Sequence, residues 1–203
     1  LSIFEPPRYF EKFLEGREAE EVVDIVARIC GICPVAYQIS ALNALESLSR
    51  QMASPWVRSM RRAFYCGEWL QSHALHIHLL ALPDFLGFEN AIAMAERHPN
   101  MGKRGLKLQG LGNALVRLFG GRSVHPVGAR LGGFHHAPAP DEVTELADRL
   151  KAAQQDAGDL TRFCASLPLP DDPQTFICVA LHHPDRYAIE SGEIRTSTGL
   201  NLS

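Results

Sequence analysis

Cys30-Gly31-Ile32-Cys33-Pro34 sets two thiols three residues apart and follows the second with proline. Proline suits the first turn of a helix, where its missing N–H is not needed and its fixed φ already fits. The chain must therefore turn from irregular to helical at the second cysteine. Ile39, Leu42, Leu45 and Leu48 continue that helix as one apolar stripe. A helix N-terminus favours thiolates through its dipole, and Arg28 adds positive charge nearby. Two thiols at this spacing can close one disulfide or share one metal centre. Three uses stay open. A thioredoxin-like redox pair needs a preceding strand in a βαβ unit, and no such pattern surrounds this one. A structural zinc site needs four ligands, and His73 and His76 would have to complete it. The third use is half of a larger metal centre whose other ligands lie outside the 203 residues.

The other cysteines do not change this. Cys66, Cys164 and Cys178 bring the number to five, widely spaced, which is no secreted disulfide framework. They are expected to be buried small hydrophobes. Hydrophobic residues make up 46% of the chain, enough for a sizeable core, and the net charge is -3. Near-balance of charge gives no reason to expect nucleic acid or an anionic membrane surface as partner. Apolar runs are broken by His, Pro or charge well before membrane-spanning length. No charged segment leads into an apolar run as in a signal peptide, and Leu1 at the start is expected to follow a true start that is missing.

The order of helix signals predicts a mainly α chain with β segments. Pro6-Pro7 and Gly16 bracket a helix over 8–15, and a short helix covers 20–27. Ser54-Pro55 opens a long helix to about residue 82, which Pro83 ends. Trp56, Phe64 and Trp69 on it are expected in the core or at a subunit interface. Further helices cover 88–98 and 101–119, the latter closed by Gly120 and Gly121. Val124, Val127, Leu131 and Phe134, with glycines between them, suggest short strands and tight turns. Pro140-Asp141-Glu142 opens one amphipathic helix to about 165. Short strands follow from Phe176 onward.

Several motifs, in order, resemble the large subunit of nickel–iron hydrogenases. Arg8-Tyr9-Phe10-Glu11 matches an R-G-F-E-like element, and Arg28-Ile29-Cys30-Gly31-Ile32-Cys33 matches R-x-C-G-x-C. Cys33-Pro34-Val35-Ala36-Tyr37-Gln38 is similar to the cytoplasmic, NAD(P)-linked, sulfhydrogenase-type branch. Glu68-Trp69-Leu70-Gln71-Ser72-His73-Ala74-Leu75-His76, Pro83-Asp84-Phe85-Leu86-Gly87 and Gly120-Gly121-Arg122-Ser123-Val124-His125-Pro126-Val127 follow, then Arg130 and Gly132-Gly133-Phe134. Agreement at separate motifs in one order is far more specific than any single motif.

The resemblance implies an incomplete hydrogenase large-subunit-like fold over 1–203. It implies that Cys30 is a terminal thiolate on nickel and that Cys33 bridges nickel and iron, metals that suit soft thiolates. The iron would carry carbon monoxide and cyanide. Glu11 would help hold a magnesium (or iron) ion, for which a carboxylate is the right hard ligand. The implied reaction is reversible cleavage of dihydrogen to two protons and two electrons. The implied partners are a small subunit with iron–sulfur clusters and subunits carrying flavin and binding NAD(P).

This sequence departs from the family pattern in four places. The D-P-C-x-x-C-x-x-H motif that supplies the other two thiolates is absent, as is the R-x-E-G-H element with its proton-transferring glutamate. Tyr37 stands where many members have a histidine that donates to the bridging sulfur, and a phenol can also donate. Ser72 stands where many have an aspartate before His73. The fragment alone is therefore expected to be inactive and unable to hold the nickel–iron centre. His73 and His76, three apart on one helix face, are expected to be a partly buried hydrogen-bonded pair rather than ligands, and His125-Pro126 to be structural. The alternatives are a non-catalytic relative of the quinone-site subunit of respiratory complex I, which usually lacks the cysteine pair, and a structural metal-binding protein.

Overall fold

The computed structural model describes residues 9–202. Eight α-helices and five short strands follow one another among them, in the order α1 (Ala19–Val26), α2 (Pro34–Ser49), α3 (Pro55–Leu75), α4 (Leu82–Phe85), α5 (Ala91–Arg97), α6 (Pro99–Gly120), β1 (Ala129–Arg130), β2 (Gly133–Phe134), α7 (Pro140–Ala152), α8 (Gln154–Ala165), β3 (Val179–His182), β4 (Glu193–Thr196) and β5 (Asn201–Leu202). The expectation of a mainly helical chain with late β segments is met.

The long helices α3 and α6 form the spine. Ser54 caps α3 by accepting the Val57 N–H at 3.2 Å, and Pro55 occupies its first turn. Gly121, at φ 76°, ends α6 in the left-handed region that glycine tolerates best. Where the helices touch, there is no room for a side chain. A Cβ on Gly112 would run into the Gln71 backbone nitrogen and come within 2.7 Å of the Gly67 carbonyl oxygen. One cluster of buried side chains, including Val35, Ile39, Leu42, Phe64, Val116 and Phe119, joins α2 to this spine. Phe64 lies edge-on to Phe119 and Phe134, with ring centres 6.3 and 5.9 Å apart. A second cluster of Ala74, Leu108, Leu111, Leu146, Ala153 and Leu160 seats α7 and α8 on the other end.

A buried ion pair ties α2, α3 and the β1–β2 hairpin together. Arg61 donates to both Glu46 oxygens, at 2.8 and 2.6 Å, and to the Arg130 carbonyl at 3.1 Å. Gly132 N–H adds a bond to Glu46 at 2.8 Å. Burial alone would push the Glu46 carboxyl up, but the Arg61 and Gly132 hydrogen bonds and the Arg61 charge hold it below its ordinary 4.5. The stability this contributes is present above pH 4.5 and fades as pH falls through the lower folded value.

The structure corrects several boundaries. The helix expected over 8–15 is one 3-10 turn, Phe10–Phe13, and Pro6, Pro7 and Arg8 lie outside the described residues. Pro83 does not end the long helix. The chain loosens to a π-turn over His76–Ala81, and Pro83 then sits in the first turn of α4, where no N–H is required. The helix over 140–165 is two, broken at Ala153, whose methyl group is buried in the second cluster. Val124 and Val127 lie in the loop between α6 and β1, and the strands from 179 onward form one antiparallel sheet, β3-β4-β5. Cys66 and Cys178 are exposed and Cys164 half-buried, so they are not the buried trio expected. Phe64 is core, Trp69 is half-buried against Tyr187, and Trp56 is 51% exposed. No helix among the described residues is long and apolar enough to cross a membrane.

Two substitutions test this architecture. Gly112→Ala should cost about 1–3 kcal/mol by forcing the spine apart, read as a lower urea midpoint. An unchanged midpoint would mean that α3 and α6 are free to separate. Arg61→Met should cost about 3–5 kcal/mol, because it leaves the Glu46 charge buried without a partner. The deficit should shrink as pH is lowered through 4.5 and Glu46 takes up a proton.

Candidate metal centre

Cys33 is the N-cap residue of α2, and Cys30 lies in the loop before it. The two sulfurs meet in bonding contact, with the Cα atoms 5.5 Å apart. The loop curls around the Cys30 sulfur, which accepts N–H bonds from Ile32 at 3.4 Å and Cys33 at 3.1 Å. Both side chains are half-buried at the start of α2, while Gly31 and Ile32 face solvent.

Three contacts from distant parts of the chain hold this turn. His125 Nδ1 bonds the Ala27 carbonyl at 2.6 Å, anchoring the chain just before Arg28. Gln38, fully buried on α2, donates to the Pro126 carbonyl at 2.8 Å. Gly128, without a side chain, lets this loop lie against the Phe119 carbonyl at the end of α6. The third contact comes from α3. Glu68 accepts the N–H groups of Val35 and Ala36, at 2.5 and 3.1 Å, one on each carboxylate oxygen. These are free donors of the first turn of α2.

Glu68 has no cationic partner among the described residues, and it is 4% exposed. Burial pushes its carboxyl up to about 7, although the two N–H donors favour the charged form. Glu68 opens the motif that runs to His76 and is not among the site residues expected from the sequence. The signal lay in the spacing: Val57, Phe64 and Glu68 share one face of α3 at i, i+7 and i+11, and that face is buried.

The other candidate residues are spread around this turn. Tyr37 begins the second turn of α2, its N–H on the Cys33 carbonyl at 3.4 Å and its side chain 38% exposed. Ser72 is half-buried on α3, one turn past Glu68 and on the same face. Glu11 is exposed on the 3-10 turn. That turn and the residues just before Cys30 wall a cavity of about 250 Å³ between Phe10, Phe13, Arg17, Arg28 and Ile29, which neither sulfur lines. The expectation for His73 and His76 fails. Both are exposed, and His73 packs edge-on against Trp69 with ring centres 5.6 Å apart. Among the described residues no three His, Cys, Asp or Glu side chains converge as a metal site. The donor set present is thus two soft thiols at a helix N-terminus, which fits part of a thiolate metal centre and supplies two ligands.

Comparison with known proteins points to one family. The profile of nickel-dependent hydrogenases matches residues 8–101. The chain is 38% identical over 152 residues to the alpha subunit of sulfhydrogenase 2 of Pyrococcus furiosus, covering 75% of this chain and 37% of that protein. It is 34% identical over 155 residues to one subunit of the vhu F420-non-reducing hydrogenase of Methanocaldococcus jannaschii, covering 73% and 36%. The crystal structure of an NAD+-reducing [NiFe]-hydrogenase in the H2-reduced state superposes with a TM-score of 0.85 at 26% identity, over 97% of this chain and 48% of that one. The fold is that of a hydrogenase large subunit. The chain belongs to the nickel-dependent hydrogenase family. It spans little more than a third of the length of the curated relatives it matches.

The Glu68 carboxyl gives the site a pH signature. Its folded value, about 7, lies above the ordinary 4.5, so on raising pH the unfolded chain loses this proton first. The native state should lose stability between pH 4.5 and about 7 and no more above that. Subtracting the stability curve of Glu68→Gln from that of the wild type should isolate this fall. A flat difference curve would show Glu68 titrating as an ordinary carboxyl.

Proposed function

We propose that residues 1–203 are the N-terminal half of the catalytic subunit of a nickel–iron hydrogenase that oxidises dihydrogen reversibly. The observation that carries this reading is the meeting of the Cys30 and Cys33 sulfurs at the start of α2, within the R-x-C-G-x-C sequence. Cys30 would bind nickel, and Cys33 would bridge nickel and an iron carrying carbon monoxide and cyanide. The nickel–iron group, when bound, supplies the splitting of dihydrogen into two protons and two electrons.

What this chain does for that chemistry follows from its own groups. The Cys30 sulfur accepts the Ile32 and Cys33 N–H groups, which hold it against Cys33. His125, Gln38 and Glu68 fix the backbone on either side of the pair. Glu11 would serve a magnesium-type ion apart from the pair, Tyr37 would lie beside the bridging sulfur, and Ser72 would stand above the metals. The two remaining thiolates would come from the other half of the subunit. Electrons would leave through a small subunit with iron–sulfur clusters to flavin-bearing, NAD(P)-binding diaphorase subunits in the cytoplasm. The likeness to sulfhydrogenase alpha subunits and to an NAD+-reducing hydrogenase supports this branch. The cysteine pair speaks against a complex I-type relative.

The test is nickel content. The complete subunit, assembled with its partners, should carry one nickel per chain. Cys30→Ser and Cys33→Ser should each lose the metal and dihydrogen-dependent dye reduction, and the isolated 203-residue chain should hold no stoichiometric nickel. Retention of nickel by the double serine variant would overturn the assignment.

A further inference from the structure

Cys33 stands in an unusual place for a metal-binding sulfur. It is the N-cap residue, and N-cap side chains ordinarily turn back to accept the N–H groups at the second and third helix positions. A thiolate there would be drawn to the same donors. Yet Cys33 makes no cap bond in α2. The donors it would take are those of Val35 and Ala36, and Glu68 already holds both from a helix 33 residues further along the chain. Pro34, at the first position, offers no N–H at all. Every first-turn donor within reach of the Cys33 sulfur is thus removed or occupied.

We propose that Glu68 is the positioning residue of the thiol pair. It caps α2 in place of Cys33 and so keeps the Cys33 sulfur turned away from its own helix and toward Cys30. The carboxylate is suited to this task for three reasons. It is buried, so water does not compete for it. It carries one oxygen for each donor, as a hydroxyl or thiol cap does not. It sits beside Gly67, whose carbonyl is in close contact with α6, so its own helix is held firmly. The significance of this role rests on reading the pair as a metal half-site, but the sulfur geometry itself can be measured without metal.

The experiment is the thiol–disulfide equilibrium of Cys30 and Cys33 in the metal-free 203-residue chain, in glutathione buffers. Oxidised glutathione takes two electrons and two protons from the pair, forms its S–S bond and leaves as two reduced glutathiones. The equilibrium constant reads how well the two sulfurs are aimed at each other. Cys66, Cys164 and Cys178 are replaced by serine throughout so that only the pair responds. Glu68→Ala frees both donors to recapture the Cys33 sulfur and should lower the constant roughly five- to tenfold, the size expected for losing a charged cap. Glu68→Gln keeps one acceptor oxygen and should fall between. It is the variant to read if the alanine chain does not fold. Leu160→Ala removes buried volume from the second cluster, away from α2. It should destabilise the chain yet leave the constant unchanged, which separates aiming from stability. Wild-type constants in folded Glu68→Gln, or an equal fall in Leu160→Ala, would overturn the proposal. Failure of the nickel test with this result intact would leave Glu68 as the positioning residue of a pair with another use.

Discussion

The close contact between α3 and α6 sets the frame for the rest of the molecule. Helices approach backbone to backbone only where one of them carries glycine, and Gly112 against Gly67 and Gln71 is that place. Packing of this kind leaves little freedom of rotation or slide, because neighbouring side chains must interlock around the contact. Glu68 is the next residue after Gly67. A constraint on one glycine pair therefore becomes a constraint on where a buried carboxylate stands, and through it on where α2 begins. Arg61, two turns earlier on α3, does the same for the other end of α2 through Glu46.

The two buried carboxylates of this frame are treated differently. Glu46 has a bidentate arginine and a backbone donor, and its charge is matched within the core. Glu68 has backbone donors alone, and burial leaves it poised near neutrality. A matched pair serves architecture, since removing either member leaves a stranded charge. An unmatched carboxylate on a helix N-terminus is costlier to bury, and the fold accepts that cost beside the thiol pair.

Much of this was legible in the sequence. Pro34, Ser54-Pro55 and Gly121 mark helix starts and a stop, because their backbone preferences act locally. The thiol pair was legible for the same reason: its spacing and its proline fix the local geometry. Long-range features were not. Pro83 read as a stop because the π-turn that lets the chain re-enter a helix depends on tertiary packing. His73 and His76 read as a partly buried pair because their i, i+3 spacing gives a shared face but not which way that face points. Cys66 and Cys178 read as buried because cysteine usually is. Glu68 carried the clearest missed signal, an acid on the apolar face of α3. Its partner lies 33 residues earlier, and no local rule connects the two.

The structural setting also separates the three uses open to a lone C-x-x-C pair. A thioredoxin-like pair is delivered by a strand, whereas here α1 ends at Val26 and a loop pinned by His125 leads to Cys30. A zinc site through His73 and His76 would need those imidazoles to turn toward the pair, yet His73 on α3 and His76 at the start of the π-turn are both exposed. Half of a larger thiolate centre asks for something else: two sulfurs held together, partly open, on a backbone that does not move when further ligands arrive. Binding to a preformed half loses less ordering entropy than assembling all the ligands at once. Three anchors from outside the motif hold the Cys30–Cys33 turn, and a glycine-locked spine holds the firmest of them. That is the arrangement expected if the pair must wait, already aimed, for the rest of its centre.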